Sequence, residues 1–214
     1  MAGLALRPQY SYINTVSDAD AATNVQVEQS QCVVPLDGQF AALLGVIRAH
    51  IAASGGEHKI IAFFTTARLT QFMAALVNAA GIPVLEIHSR KSQSAREKAS
   101  AEFRGARASI LFSSDVSARG VDYPDVTMVL QLGLPSSREQ YIHRLGRTAR
   151  AGKVGEGMLI LAPFESHFLR SLGGEPAAIA ALYCTEHCVF FFERGAFYGE
   201  AQQQHFDFSQ SSRL

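Results

Sequence analysis

The sequence predicts an open α/β fold, in which a parallel β-sheet carries helices on both faces. Short apolar runs alternate with amphipathic segments along most of the chain, and glycine or serine separates several of them. Hydrophobic residues make up 48% of the 214 positions, which is enough for a sizeable core. Alternating strands and helices are typical of crossover units, which set the strands parallel and cover both faces of the sheet.

The same periodicity predicts the individual elements in order. Apolar residues recur at helical spacing in the first long helix, which stops at Ser54, and Gly81 marks the end of the second. The predicted helices are residues 38–53, 69–80, 93–104 and 136–145. The predicted strands are residues 31–36, 59–64, 83–87, 108–112, 126–130 and 157–162.

Polar clusters follow three of these strands directly. Thr65 and Thr66 follow the strand at 59–64, residues 88–91 follow the next strand, and residues 113–115 follow the third. Ligands of open parallel sheets bind beyond the carboxyl ends of the strands. The sequence therefore predicts one edge of the sheet that carries the chemistry.

The two ends of the chain differ from the middle. We interpret residues 1–24 as a linker or arm, residues 25–172 as one domain and residues 173–214 as an extension. Residues 189–192 are β-prone, and packing of the phenylalanines is favoured over base stacking. No stretch is long and apolar enough to span a bilayer, so we expect no membrane association.

Positive charge is concentrated in the middle of a chain that is neutral as a whole. Residues 59–172 hold fifteen basic and nine acidic residues, a net charge of +6. The segments on either side, 1–58 and 173–214, each have a net charge of −3. This distribution is expected where an anionic ligand binds the central segment, although a solvated basic surface would look the same.

The three cysteines indicate a reducing compartment. An odd and sparse set argues against a disulfide framework. Cys184, His187 and Cys188 lie close enough in sequence to be metal ligands, but a structural zinc site needs four ligands and no second pair is nearby. Ordinary side chains are the favoured interpretation, and we expect no metal site in this chain.

The segment at 143–150 carries the strongest chemical signal, with the sequence His-Arg-Leu-Gly-Arg-Thr-Ala-Arg. Arg147 and Arg150 are three residues apart, so on a helical turn they would project to the same side. Two guanidinium groups can bind phosphate oxygens bidentately. The alternative is that they bridge surface carboxylates, of which the next residues offer only Glu156.

A second segment, residues 114–122, reads Ser-Asp-Val-Ser-Ala-Arg-Gly-Val-Asp and follows a predicted strand. A serine hydroxyl and a bare glycine backbone suit close approach to a phosphodiester, and a carboxylate suits the hydroxyls of a ribose. Ser-Asp after a strand is also a common helix N-cap.

These segments resemble conserved motifs of the DEAD-box RNA helicases. Residues 143–150 look like motif VI, and residues 114–122 look like motif V. Residues 62–66, Ala-Phe-Phe-Thr-Thr, resemble motif IV, and residues 93–96 match the Gln-x-x-Arg element. The resemblance covers about residues 25–172 and implies the second, C-terminal RecA-like domain of such an enzyme. Residues 87–91, 122–126 and 139–142 look closest to a subgroup with fungal mitochondrial and plant organellar members.

The resemblance implies a role for each matching residue. Arg147 and Arg150 would be arginine fingers on the γ-phosphate of ATP, with His143 in the network beside them. The residues implied to bind the nucleotide are Asp122, Gly120, Arg147 and Arg150. The residues implied to bind the RNA backbone, without reading its bases, are Thr66, Arg96, Ser114 and Gly120.

The sequence departs from the family pattern at three places. Ser114 stands where much of the family has threonine, Ser89 follows His88 where glycine is common, and Gly133 stands in place of an aspartate. The chain also has no Gly-x-x-x-x-Gly-Lys-Ser/Thr loop and no Asp-Glu-Ala-Asp sequence. Both belong to the first domain of the family, which would hold most of the ATP and its Mg²⁺.

The expected partners are therefore RNA and an N-terminal RecA-like domain of the same protein. By itself, this chain is predicted to be inactive as an ATPase. One alternative is a non-catalytic RNA-binding or scaffold module, which would have no use for the arginines. Another is a DNA-directed helicase, which the string at 114–120 does not favour. The expected location is intracellular, with mitochondria favoured by the subgroup resemblance.

Overall fold

A computed structural model of the protein describes residues 27–115, 122–150 and 152–172, and two short strands at 180–185 and 188–189. The predicted arm at residues 1–24 lies outside the described residues, as does most of the extension at 173–214.

The described strands form one mixed sheet. They are β1 (Val27–Val33), β2 (Lys59–Phe64), β3 (Leu85–Ile87), β4 (Ser109–Ser113), β5 (Met128–Leu132), β6 (Gly155–Leu161), β7 (Ala180–Thr185) and β8 (Cys188–Val189). Their spatial order is β3-β4-β2-β5-β6-β1-β7-β8. The pairings from β3 to β7 are all parallel, and β8 pairs antiparallel with β7.

Helices cover both faces of this sheet. They are α1 (Gln39–Ala53), α2 (Ala67–Ala79), α3 (Gln93–Gly105), α4 (Arg138–Leu145) and the short α5 (Phe168–Ser171). Three of them begin at a side-chain cap that accepts a hydrogen bond from a backbone N–H three residues later: Thr66, Ser92 and Ser137.

The central strands β2 and β5 are apolar except at Lys59 and Gln131, because both of their faces are buried. Along β2, Ile60 and Phe64 belong to the core beneath α1 and α2, whereas Ile61 and Phe63 pack on the side of Phe103 from α3. A third cluster joins α4 and α5 to β1 and β6. Strands of this kind appear in the sequence as continuous apolar runs without alternation.

The predicted fold class is confirmed, and most predicted elements lie within two or three residues of their observed ends. The first strand is the main error, since it begins at Val27 and was predicted at residues 31–36. Its bounds are determined by pairing with β6, from Val27 opposite Gly155 to Val33 opposite Leu161. The sequence analysis also missed α5 and β7. No described helix has the length and apolar character needed to cross a membrane.

Candidate nucleotide and nucleic-acid sites

The carboxyl ends of β2, β3 and β4 bring three of the predicted residues to one edge of the sheet. Thr66 follows β2 and is exposed as the N-cap of α2, where its hydroxyl accepts from the Leu69 N–H at 3.1 Å. Ser114 follows β4, and its N–H donates to Ile87 O of β3 at 3.2 Å. Arg96 lies one turn into α3, which begins shortly after β3. The prediction that polar clusters converge at this edge is confirmed for these strands.

Two polar atoms at this edge are buried without a hydrogen-bond partner among the described residues. They are Ser114 Oγ and Arg96 Nε. Ser114 is 5% exposed, so its hydroxyl cannot be satisfied by bulk water. A buried donor or acceptor left unpaired costs about 1–3 kcal/mol, and an oxygen-rich ligand would remove that cost.

A compact turn after β3 carries two more basic residues, Arg90 and Lys91. His88 is buried, and its Nδ1 accepts from the Arg90 N–H at 3.2 Å. The Nε2 of His88 therefore carries the proton and donates to Glu86 at 3.2 Å. Glu86 also pairs with Lys91. The buried imidazole thus holds the turn that presents Arg90 and Lys91. This turn lies at the edge formed by the carboxyl ends of the strands, here called the carboxyl edge.

The arginines of residues 143–150 lie at the opposite end of the sheet. The Thr148 hydroxyl donates to Val126 O at 2.5 Å, just before β5 begins. A Cβ added to Gly155, the first residue of β6, would overlap Thr148. Helix α4 therefore runs from the carboxyl ends of the strands to their amino ends and delivers the arginines there.

Asp122 is brought to the same end by contacts with α3. Its carbonyl accepts from Arg104 Nε at 3.3 Å, and the Arg104 carbonyl accepts from Lys59 Nζ at 3.0 Å. Lys59 is the first residue of β2. Arg150 and Asp122 form an ion pair. The alternative that these arginines bridge carboxylates is thus partly realised, through a residue far away in sequence and not through Glu156.

The arginines do not continue the helix, so the prediction of a shared helical turn is wrong. Helix α4 ends at Leu145, and Gly146 caps it. Ala149 has a φ of 54°, in the left-handed region that a non-glycine residue adopts at a cost of about 1–2 kcal/mol. Arg147 Nε donates back to His143 O at 3.4 Å, and Arg150 Nε donates to Gly146 O at 2.9 Å. A turn, and not a helix, therefore brings Arg147 and Arg150 close together.

The two arginines are close enough for their charges to interact. Burial and the charge of Arg150 lower the pKa of the Arg147 guanidinium, while Asp122 and Tyr123 act in the opposite direction. Arginine remains charged at any physiological pH. Two crowded guanidinium groups beside one exposed carboxylate form a site that an added anion would stabilise. His143 is exposed at the start of this turn.

The predicted site residues are therefore divided between two ends of the sheet, and the expectation of a single edge is wrong. The RNA candidates Thr66, Arg96 and Ser114 lie at the carboxyl ends. The nucleotide candidates Asp122, Arg147 and Arg150 lie at the amino ends, because α4 crosses the sheet. Gly120 was predicted to serve both sites and lies outside the described residues.

A buried polar network connects the two groups and was missed by the sequence analysis. Asp115 Oδ1 accepts from Arg144 Nε at 2.8 Å, from Arg144 Nη2 at 2.5 Å and from Gln140 Nε2 at 2.7 Å. The Arg144 side chain is 1% exposed and also donates to Gln131 Oε1 at 3.4 Å. Its guanidinium lies 5.5 Å from the centre of the Phe63 ring. Sequence spacing alone does not separate Arg144 from the arginines around it.

Gly133 is favoured at its position by its backbone conformation and by the close packing of Thr65. Its φ is 85°, and an added Cβ would lie 2.8 Å from Thr65 Cγ2. Glu165 places a carboxylate oxygen 3.8 Å from that Cβ position. The two oxygens of Glu165 accept from the Leu134 N–H at 3.1 Å and the Ala162 N–H at 2.8 Å. A carboxylate is therefore present beside Gly133, supplied by a different residue.

Comparison with known proteins places this arrangement in a family. The model of the helicase conserved C-terminal domain matches residues 39–152, just over half of the chain. The chain is 53% identical over 169 residues to DEAD-box ATP-dependent RNA helicase 25 of Oryza sativa subsp. japonica, covering 79% of this chain and 28% of that protein. It is 51% identical over 173 residues to DEAD-box ATP-dependent RNA helicase 31 of Arabidopsis thaliana, covering 81% and 24%.

Solved structures of similar fold agree with the sequence relatives. Mss116p bound to single-stranded RNA and AMP-PNP superposes with a TM-score of 0.72 at 31% identity, over 80% of this chain and 35% of that one. Helicase domain 2 of Mss116p bound to an RNA duplex superposes with a TM-score of 0.66 at 33% identity, over 74% and 65%. The chain spans less than a third of the two curated relatives described above.

Proposed function

The chain belongs to the DEAD-box RNA helicases, as their helicase C-terminal domain, and from this premise we propose that it forms half of a two-domain machine that hydrolyses ATP to separate RNA strands. The observation that carries the proposal is the pair of crowded arginines beside Asp122, in a sequence without a phosphate-binding loop of its own. Such arginines have a catalytic use only when another domain holds the nucleotide.

The turn that carries Arg147 and Arg150, here called the arginine turn, supplies the nucleotide half of the mechanism. Arg147 and Arg150 bind the γ-phosphate and neutralise the negative charge that spreads over its oxygens during transfer. Asp122 exchanges its contact with Arg150 for the ribose hydroxyls when the nucleotide arrives. That exchange costs little, because the pair is exposed and such surface pairs are worth at most about 1 kcal/mol. His143, beside Arg147, extends the network toward the γ-phosphate.

The carboxyl edge supplies the RNA half. Thr66, Arg96 and Ser114, together with Gly120, bind the sugar–phosphate backbone of one strand. Arg96 Nε and the Ser114 hydroxyl have no hydrogen-bond partner among the described residues, and both can donate to phosphate oxygens once the strand is bound. Contacts of this kind contain no base information, so binding is independent of sequence and sensitive to salt.

The Mg²⁺ that accompanies ATP would be held mainly by an N-terminal RecA-like domain of the same protein. Mg²⁺ is usually bound by one or two carboxylates together with substrate phosphates. In the described part of this chain, Asp122 pairs with Arg150 and Asp125 pairs with Lys153. Closure of the two domains on ATP then completes the nucleotide site at one end of the sheet and the RNA groove at the other. A strand bent across the closed pair cannot remain in a duplex.

The subgroup and the cellular location are also proposed. Residues 87–91, 122–126 and 139–142 support the subgroup with fungal mitochondrial and plant organellar members. We expect an organellar location, with mitochondria favoured. Imaging of the full-length protein fused to a fluorescent protein tests it, and a purely nuclear or cytosolic signal would contradict it.

The first test of the function is ATP hydrolysis by the full-length protein, with the 214-residue chain measured beside it. We expect the full-length protein to hydrolyse ATP only when RNA is present and the shorter chain to be inert with or without RNA. If neither hydrolyses ATP while the shorter chain binds RNA tightly, the chain is a binding module and the helicase proposal fails. Equal stimulation by DNA would favour a DNA-directed helicase.

A further inference from the structure

The network around Asp115 joins a residue next to one candidate site to a residue next to the other. Asp115 directly follows Ser114, which we assign to RNA. Arg144 directly follows His143 and lies three residues before Arg147, which we assign to the nucleotide. The Arg144 side chain extends back along α4 toward the carboxyl ends of the strands, where its guanidinium meets Asp115, Gln131 and the Phe63 ring.

Arg144 and Gln140 hold one oxygen atom of Asp115 by three hydrogen bonds, here called the clamp. Two nitrogens of Arg144 and the amide of Gln140 all donate to Asp115 Oδ1, at distances from 2.5 to 2.8 Å. The Arg144 side chain is buried, whereas the Asp115 side chain is 42% exposed. The carboxylate therefore reaches the surface next to Ser114 and is held from below by two residues of α4.

Stability alone does not account for this arrangement. Removing an arginine from water is costly, and well-packed apolar residues in place of a buried ion pair are often equally stable or more so. What an apolar pair cannot do is fix one oxygen atom relative to α4. A movement of the segment at Ser114 that displaces Asp115 must also move α4, and the arginine turn lies at the end of that helix.

We propose that Arg144 and Asp115 are positioning residues that link RNA binding at the carboxyl edge to ATP hydrolysis at the arginine turn. The inference rests on the proposed function, since it assigns the RNA dependence of that ATPase to this contact. RNA that engages Ser114 sets the position of Asp115, and the clamp then sets the position of α4 and Arg147. Neither positioning residue needs to touch RNA or ATP.

The experiment compares the full-length protein with its Asp115→Asn, Gln140→Met and Asp115→Asn/Arg144→Met variants. Asp115→Asn removes the charge and leaves Arg144 buried without its counterion, so we expect it to lower the melting temperature. The double variant removes both charges, and its melting temperature should recover. We expect RNA stimulation of kcat to fall at least tenfold in Asp115→Asn and in the double variant. In the double variant it should stay low even though stability has recovered. Gln140→Met, which removes one donor of three, should show a smaller loss.

RNA affinity without nucleotide and hydrolysis without RNA are measured beside these rates, and both should stay within about twofold of the parent protein. Glu156→Gln is the matched control, because Glu156 also pairs with a buried side chain, but that side chain is His50 of α1 and not a residue of α4. It should keep full RNA stimulation.

Stimulation that recovers together with stability in the double variant would overturn the proposal, since it would mean that the pair only supports folding. Unchanged stimulation in Asp115→Asn and Gln140→Met would do the same. A parent protein without any RNA-stimulated hydrolysis would contradict the proposed function itself, which keeps the two failures distinct. If the double variant does not fold, the comparison of Asp115→Asn with Gln140→Met decides: graded loss of stimulation at unchanged RNA affinity supports the link.

Discussion

Individual residues in this domain are held in conformations that serve the arginine turn. Ala149 adopts a left-handed backbone between the two arginines, and it is almost fully buried. Thr148 is anchored to the start of β5, and Gly155 leaves the space that this anchor needs. Strain that persists in this way must be compensated by the surrounding packing, and it is often found where side chains are positioned for chemistry.

The strongest prediction at this scale concerns Arg147. Arg147→Ala in the full-length protein should lower RNA-stimulated ATP hydrolysis by about a thousandfold or more, because the charge on the γ-phosphate loses a partner in the transition state. ATP binding should change little, since most of the nucleotide is held by the other domain. Steady-state turnover and binding of a fluorescent ATP analogue measure the two effects. Arg48→Ala, on the exposed surface of α1, is the control. Normal turnover in the Arg147 variant would refute the arginine-finger assignment.

The ends of β2 and β5 lie side by side and pack closely at Gly133. Gly133 follows β5, and its missing side chain leaves room for Thr65, which follows β2 and precedes the candidate RNA residue Thr66. The Glu165 carboxylate ties the ends of β5 and β6 together through two backbone N–H groups. The carboxyl edge is therefore rigid on the side of these strands.

Gly133→Ala tests that packing. The substitution combines an unfavourable positive φ with a methyl group 2.8 Å from Thr65 Cγ2, so the free energy of unfolding should fall by about 2–3 kcal/mol. Gly81→Ala is a matched control, because Gly81 has nearly the same φ of 83° but no atom within 4 Å of the added Cβ. Its loss should be about 1 kcal/mol. Thr65→Ser removes the crowding methyl and should restore part of the stability of Gly133→Ala. Urea unfolding measures all three, and equal losses at the two glycines would contradict the packing argument.

Helix α4 is tied to β1 through Tyr141, which gives a prediction about pH. Its hydroxyl donates to Gln29 Oε1 at 2.8 Å, and burial raises the pKa of Tyr141 to about 12. The unfolded chain has a tyrosine pKa of about 10, so folding favours the protonated form. The associated stability is complete below about pH 10 and is lost as the pH rises toward 12.

Tyr141→Phe should flatten that alkaline loss. The variant should be less stable than the parent chain near neutral pH by about 1 kcal/mol, because the hydrogen bond to Gln29 is gone. The difference between the two chains should then shrink or reverse between about pH 10 and pH 12, since phenylalanine does not ionise. Urea unfolding across this range measures it. A constant difference would show that Tyr141 does not titrate with folding.

At the scale of the whole molecule, the sheet separates the two groups of candidate residues, with the RNA candidates at the carboxyl ends of the strands and the nucleotide candidates at the amino ends. Basic residues outnumber acidic ones only in the central segment, which supplies both ends of the sheet, and the flanks are acidic. We therefore expect the candidate RNA edge to attract a polyanion through its field as well as through contacts. This predicts salt-dependent binding without sequence preference.

The Arg96→Ala variant tests how much one predicted phosphate contact contributes to RNA binding. The variant should bind single-stranded RNAs of different sequence with about equally reduced affinity. The slope of log affinity against log salt should fall by about 0.7–1, the value expected for one lost phosphate contact. Lys98→Ala is the matched control, because it lies on the same helix but on a different, exposed face. A loss confined to one RNA sequence would contradict binding through the backbone alone.

The sequence by itself determined the fold class, the approximate position of most elements and the short segments that are candidates for the chemistry. Those properties are local: apolar periodicity identifies buried faces, and the segments at 114–122 and 143–150 each hold their functional groups within nine residues or fewer. The sequence did not locate β1 correctly, because its bounds depend on pairing with β6, which is more than a hundred residues away.

Only the tertiary structure decided where the candidate residues lie relative to one another. Helix α4 carries the arginines across the sheet, so the two sites occupy opposite ends and not one edge. Asp122 meets Arg150, and Asp115 meets Arg144, across 28 and 29 residues of chain. The turn at Ala149 aligns the arginines without a helix. Such contacts depend on the packing of distant segments, which sequence spacing does not encode, and they determine which residues act together.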